Sequence, residues 1–155
     1  VGIDGCAMPA PRLSLTGFGR ALSKIAAPTL LKGSMRQAAE QITSATMQFP
    51  YLTGGTKSPN SKMTEASEKK FFAKNGAEGV YAVILPGAQA AMVLKIADGN
   101  MRAANVAIAG MLLQMADQLG LDKAVLNRFC SEDMFNSAGT KVGVCRFANI
   151  MPTKN

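Results

Sequence analysis

The sequence predicts an α+β domain in which an antiparallel sheet is covered by helices. Two β-prone runs, "GVYAVIL" and "AAMVLKI", are separated only by "PGAQ", the pattern of an antiparallel hairpin. Apolar residues at helical spacing occur twice before this hairpin and once, over a long stretch, after it. A chain of 155 residues suffices for one domain with a substantial core and is too short for two comfortable ones.

Val1 to Ile3 reads as the tail of a strand or loop, and Pro9 and Pro11 interrupt regular structure before the first helix. In "LSLTGFGRALSKIAA", Leu15, Phe18, Leu22 and Ile25 recur at three- and four-residue spacing, which predicts an amphipathic helix ended by Pro28. A second helix is predicted over "TLLKGSMRQAAEQITSATMQ", with Leu31, Met35, Ala38, Ala39, Ile42 and Met47 towards one side and Pro50 as its stop. "YLTGGTKSPNSK" reads as a loop, and a short helix is expected from about Ser61 to Ser67. After the hairpin, "ADGN" turns the chain into a helix, with Asn100 or Asp98 as its cap. Met101, Ala104, Ile108, Met111, Leu112, Met115 and Leu119 form its apolar stripe and Gly120 its stop, so these methionines read as core and not as metal ligands. A final strand, "TKVGVCRFA", closes the chain.

Composition removes whole classes of chemistry. With no histidine there is no Ser-His-Asp triad, Cys-His pair or HExxH zinc site. Cys6, Cys130 and Cys145 are odd in number and widely spaced, which fits reduced thiols and a cytoplasmic protein better than a disulfide framework. No apolar run is long enough to cross a bilayer, and no signal peptide precedes Asp4. Lys and Arg exceed Asp and Glu by 17 to 10, yet the basic residues are scattered and not interleaved with aromatics. Neither nucleic acid nor a membrane is therefore an expected partner.

Three short motifs bear on chemistry. Asp4-Gly5-Cys6 admits two readings: a hard and a soft metal ligand brought together by a glycine turn, or a turn aspartate beside a small buried thiol. Lys74-Asn75-Gly76, read at the head of a β-strand, follows the Lys-x-Gly pattern by which serine β-lactamases and penicillin-binding proteins present a cation and a close-approach glycine. The amide after the glycine can then point into an oxyanion hole. Ser67-Glu68-Lys69-Lys70 matches Ser-x-x-Lys formally, but its polar flanks and its nearness to Lys74 argue for a solvated helix face and against a nucleophile. Asp98, Asn100 and Arg102 form either a helix cap or part of a cleft.

Taken together, "VGIDGCAMPAP", "LTGFGRALSKIA", "AKNGAEGVYAVIL", "LKIADGNMRAAN" and "NSAGTKVGVCRF" closely resemble the bacterial asparaginase family typified by the rhizobial thermolabile and thermostable enzymes, from Val1 to about Phe147. The resemblance implies the C-terminal part of a serine β-lactamase-like fold, similar also to serine-dependent glutaminases, whose Lys-Ser-Gly-Val corresponds to Lys74-Asn75-Gly76-Ala77. Residues 1–155 then form the C-terminal portion of one asparaginase-like domain, whose nucleophilic Ser-x-x-Lys pair and second active-site serine lie upstream of this chain. It further implies a zinc held by Asp4 and Cys6 with a lysine and a second cysteine, two of the four ligands being in this chain. Lys74 and the Ala77 amide are the implied catalytic groups. Asn75 and Gly76 are placed at the substrate, Asn75 differing from the family's usual residue. Glu78 is expected to pair with the α-ammonium of L-asparagine, since a zwitterion needs an anion as well as cations. Expected partners are L-asparagine and a second copy of the chain in a homodimer. The isolated chain is expected to be inactive. A non-catalytic association module and a glutaminase-like amidase are the other readings.

Overall fold

The computed structural model describes residues 1–148. β1 (Gly2–Ile3) pairs antiparallel with β2 (Pro9–Ala10), and the Asp4-Gly5-Cys6 motif lies in the turn between them. Helix α1 (Leu15–Ala26) starts where Ser14 accepts a hydrogen bond from the Gly17 amide at 3.0 Å, the capping expected of a serine at that position. Helix α2 (Gly33–Gln48) begins four residues later than the sequence predicts. Pro28 opens a separate 3-10 turn, and Gly33 takes φ +54, so the helical path cannot run through from Thr29.

The predicted loop over 51–62 is a correction. It holds α3 (Pro50–Gly54) and the start of α4 (Pro59–Ala66), which opens on a Ser58 cap with Pro59 in its first turn. Strand β3 (Phe72–Asn75) follows, then β4 (Val80–Leu85) and β5 (Ala90–Lys95). These three form one antiparallel sheet in the order β3-β4-β5. The predicted hairpin is present, but Lys74 and Asn75 end β3 and do not head β4.

Alternation along the strands sends Tyr81, Val83, Leu85, Met92 and Leu94 to one face of this sheet. There they meet α5 (Met101–Gln114) through Ala104, Ile108, Ala109 and Leu112, forming the main core. Burying Leu112 completely contributes about 1.5–3 kcal/mol. The other face presents Phe72 and Ile84 to Leu22 and Ala26 of α1 and Met47 of α2. The sheet is therefore covered by helices on both sides, as the sequence predicts, and the fold is α+β.

The long helix stops early, at Met115, whose amide turns back to Leu112 at 3.1 Å, and α6 (Ala116–Leu119) continues it to Gly120. Helix α7 (Lys123–Asn127), capped by Asp122, and strand β6 (Ser131–Phe135) were not predicted. β7 (Lys141–Arg146) is the predicted final strand, paired with β6 in a separate hairpin and not with the central sheet. The Phe147 ring seats this hairpin against α5, where a Cβ on Gly110 would collide with it. Among the described residues no helix is long and apolar enough to cross a membrane.

Candidate active site

Lys74, Asn75, Gly76, Ala77 and Glu78 run from the end of β3 into the turn before β4, so one short segment carries five of the predicted site residues. The turn is tight. Gly76 donates to the Val80 carbonyl at 2.9 Å and Val80 to that of Ala77 at 3.3 Å, while Glu78 and Gly79 take φ +57 and +67. Two successive positive φ values are what a type I′ hairpin turn requires. Gly79 is also required by space, since a Cβ there would lie 2.9 Å from the Ile96 side chain and 3.0 Å from the Gly99 carbonyl carbon. Ile96 donates to the Gly79 carbonyl at 3.0 Å, which pins the turn to the β5–α5 connection.

That connection settles the role of Asp98, Asn100 and Arg102. Asn100 caps α5 by accepting from the Arg102 amide at 3.0 Å, and Asp98 accepts from the Asn100 amide at 2.9 Å and pairs with the Arg102 guanidinium at 3.1 Å. They form a helix cap, with their charges spent on each other. Glu78, by contrast, forms no ion pair among the described residues, and its carboxylate lies where a Cβ on Gly99 would come within 2.8 Å of Oε2. The missing side chain of Gly99 makes room for that carboxylate.

β3 is an edge strand, and its outer edge is only partly covered. The Ala73 amide donates to Thr64 Oγ1 of α4 at 3.3 Å. Past Asn75 the chain is exposed at Gly76, Ala77 and Glu78. Among the described residues the exposed Ala77 amide has no hydrogen-bond acceptor. Lys74 is exposed, donates to the Asn75 carbonyl at 2.9 Å and forms no salt bridge among the described residues. It stands at the rim of a cavity of about 270 Å³ walled by Phe18, Leu22, Ile42, Phe72 and Ile84. The side chain of Asn75 is turned to α4, where Asn60 Nδ2 donates to its Oδ1 at 2.7 Å.

Asp4 and Cys6 lie apart from this segment in sequence and are exposed in the β1–β2 turn. The Asp4 carboxylate accepts from the Gly5 amide at 2.7 Å and from the Cys6 thiol at 3.6 Å. Tetrahedral zinc with ordinary thiolate and carboxylate bond lengths sets its sulfur and oxygen ligands about 3.5 Å apart, so the pair fits two corners of such an ion. No third Cys, Asp, Glu or His joins them among the described residues.

Ser67 caps the C-terminal end of α4 and donates to the Thr64 carbonyl at 2.8 Å, while Lys70 donates to the Gly120 carbonyl at 2.9 Å. Each is engaged elsewhere, as expected of a formal motif match. Sequence reading missed Asn60 and Gly99. The Ser58-Pro59 helix start was a usable signal for the first; nothing in "ADGN" pointed to the second.

A cation, an anion and a free turn amide within residues 74–78 make an arrangement suited to a small charged ligand, carried on an α+β scaffold. The family described as L-asparaginase II matches residues 1–147, and the chain belongs to that family. Comparison with the curated proteins found no match.

Proposed function

We propose that the protein acts in the hydrolysis of L-asparagine to L-aspartate and ammonia by serine acyl transfer. The family match over residues 1–147 is the observation that carries this reading, and the exposed Lys74 at the end of β3 supports it. On this reading the fold is the C-terminal part of a serine β-lactamase-like domain, and a Ser-x-x-Lys pair N-terminal to Val1 provides the nucleophile. The serine oxygen bonds to the side-chain carbonyl carbon as its proton passes to the neighbouring lysine, the lysine hands that proton to the amide nitrogen, which leaves as ammonia when its bond to the carbon breaks, and water then splits the ester and restores the serine.

The residues of this chain act at the reacting carbonyl and at the substrate's charged end. The Ala77 amide donates to the oxyanion that forms as the serine adds, and Lys74 stabilises the same charge from the strand end. Gly76, without a side chain, lets the substrate approach the backbone. Glu78 holds the α-ammonium, the role for which an unpaired carboxylate is needed. Asn75 contributes a hydrogen bond. A zinc bound by Asp4, Cys6 and donors outside these residues would supply fixed positive charge and hold the β1–β2 turn.

Association into a homodimer is part of this reading, supported by exposed Phe135, Val142 and Val144 on the β6–β7 hairpin. Sedimentation of the full-length protein as a monomer would remove that part. The reading as a whole is tested by ammonia release from L-asparagine, with L-glutamine as the competing substrate: no release from either by full-length protein would end it.

A further inference from the structure

Asn60 is 2% exposed, one of the few buried polar side chains, and sits in the first turn of α4 directly after Pro59. Its place there is rigid, because Ser58 caps the helix and accepts from the Asn60 amide at 3.3 Å. Its carboxamide is used at one end only. Nδ2 donates to Asn75 Oδ1 at 2.7 Å across fifteen residues of sequence, while Oδ1 is buried without a partner among the described residues. Tyr81, which faces Asn75 across the β3–β4 ladder, likewise keeps a buried hydroxyl without a partner. Buried polar atoms are usually satisfied, so a carboxamide kept here for its donor end alone has a task at Asn75.

That bond decides which end of Asn75 meets a ligand. With Oδ1 occupied, the NH2 group is left, and no described residue engages it. Lys74 and Asn75 leave an edge strand on opposite faces, so a ligand lying along the edge beyond Thr64 meets the ammonium from one side and this amide from the other. We propose that Asn60 is a positioning residue: it holds Asn75 so that a hydrogen-bond donor, and not an acceptor, is turned to a carboxylate of the substrate beside Lys74. This rests on the asparaginase reading of the site.

The test uses the full-length protein and ammonia release from L-asparagine. Asn60→Asp keeps the shape but can only accept, so Asn75 must turn its NH2 inward and present Oδ1. KM should rise about tenfold, the scale of one lost hydrogen bond, with kcat within about threefold of wild type. Asn60→Ala should do the same and serves if the aspartate variant does not fold. An unchanged KM in the folded variant, or a loss confined to kcat, overturns the proposal.

If the wild-type protein releases no ammonia, the asparaginase reading fails, and the clamp is judged without it. In an Asn-Gly pair the Gly76 nitrogen attacks Asn75 Cγ, ammonia leaves, and water opens the resulting succinimide to aspartate or isoaspartate. Asn60→Ala should speed isoaspartate formation at Asn75 by about tenfold, the same one-bond scale, and leave Asn136-Ser137 unchanged. Equal rates at Asn75, or a parallel rise at both sites, overturn the clamp.

Discussion

Lys74 and Asn75 are neighbours in β3, yet their side chains leave the strand on opposite faces: Lys74 borders the cavity beneath α1, and Asn75 bonds to Asn60 of α4 at 2.7 Å. The same pair is tied together through the backbone, where Lys74 Nζ meets the Asn75 carbonyl at 2.9 Å. α4 reaches the strand at Ala73 and at the Asn75 side chain, while Lys74 and Ala77 are left exposed.

Glu78 and Gly99 give the first expectation. Glu78→Gln should raise KM for asparagine in the full-length protein more than it lowers kcat, because it removes binding charge and leaves the reacting carbonyl alone. Gly99→Ala should have a similar effect, since its Cβ would come within 2.8 Å of Oε2. It should also destabilise the fold by about 1–2 kcal/mol, because Gly99 sits at φ +74. Steady-state kinetics with a melting curve checks both. An unchanged KM in Glu78→Gln removes Glu78 from substrate binding.

The second concerns zinc. Asp4 and Cys6 provide two donors with suitable spacing, and two donors hold zinc weakly. The full-length protein should therefore bind zinc at least about tenfold more tightly than residues 1–155 alone, and Cys6→Ser should remove that advantage. Metal content after dialysis decides it; equal zinc in wild type and Cys6→Ser would contradict the assignment.

The third is a dependence of stability on pH. Burial raises the pKa of the Cys130 thiol, and burial raises that of the Tyr81 hydroxyl much further. In both cases the folded state favours the protonated form. Their contribution is complete below the unfolded values, about 8.5 for a thiol and about 10 for a phenol, and is lost as pH rises through the folded ones. The melting temperature should thus be flat near neutrality and fall above about pH 9. Tyr81→Phe should flatten that fall and cost little at pH 7, because the hydroxyl it removes has no partner among the described residues. A fall of equal slope in Tyr81→Phe would show that other groups drive it.

What the sequence disclosed tracked the strength of local signals. The α5 stripe and the β4–β5 hairpin were readable because Ile108, Leu112, Val83 and Leu94 repeat at the helical or strand period and are buried accordingly. β3 was not, since "FAKN" is four residues long and ends in two polar side chains. β6 was hidden for a different reason. All five of its residues are exposed, and "SEDMF" carries two acids, so its pairing with β7 leaves no apolar alternation to read. For the candidate site, Lys74 to Glu78 are adjacent in sequence, so that they share one short segment could be read from their order alone. The Asn60 contact could not, because it depends on α4 folding back against an edge strand fifteen residues later.

The most direct measurement compares ammonia release from L-asparagine by the full-length protein and by its Lys74→Ala variant. Lys74 is exposed and forms no salt bridge among the described residues, so its loss should leave the fold intact. The expected result is a fall in kcat of about a hundredfold or more, the scale of lost oxyanion stabilisation, with no hydrolysis by residues 1–155 alone. Wild-type turnover in Lys74→Ala would contradict the placement of the active site at the end of β3.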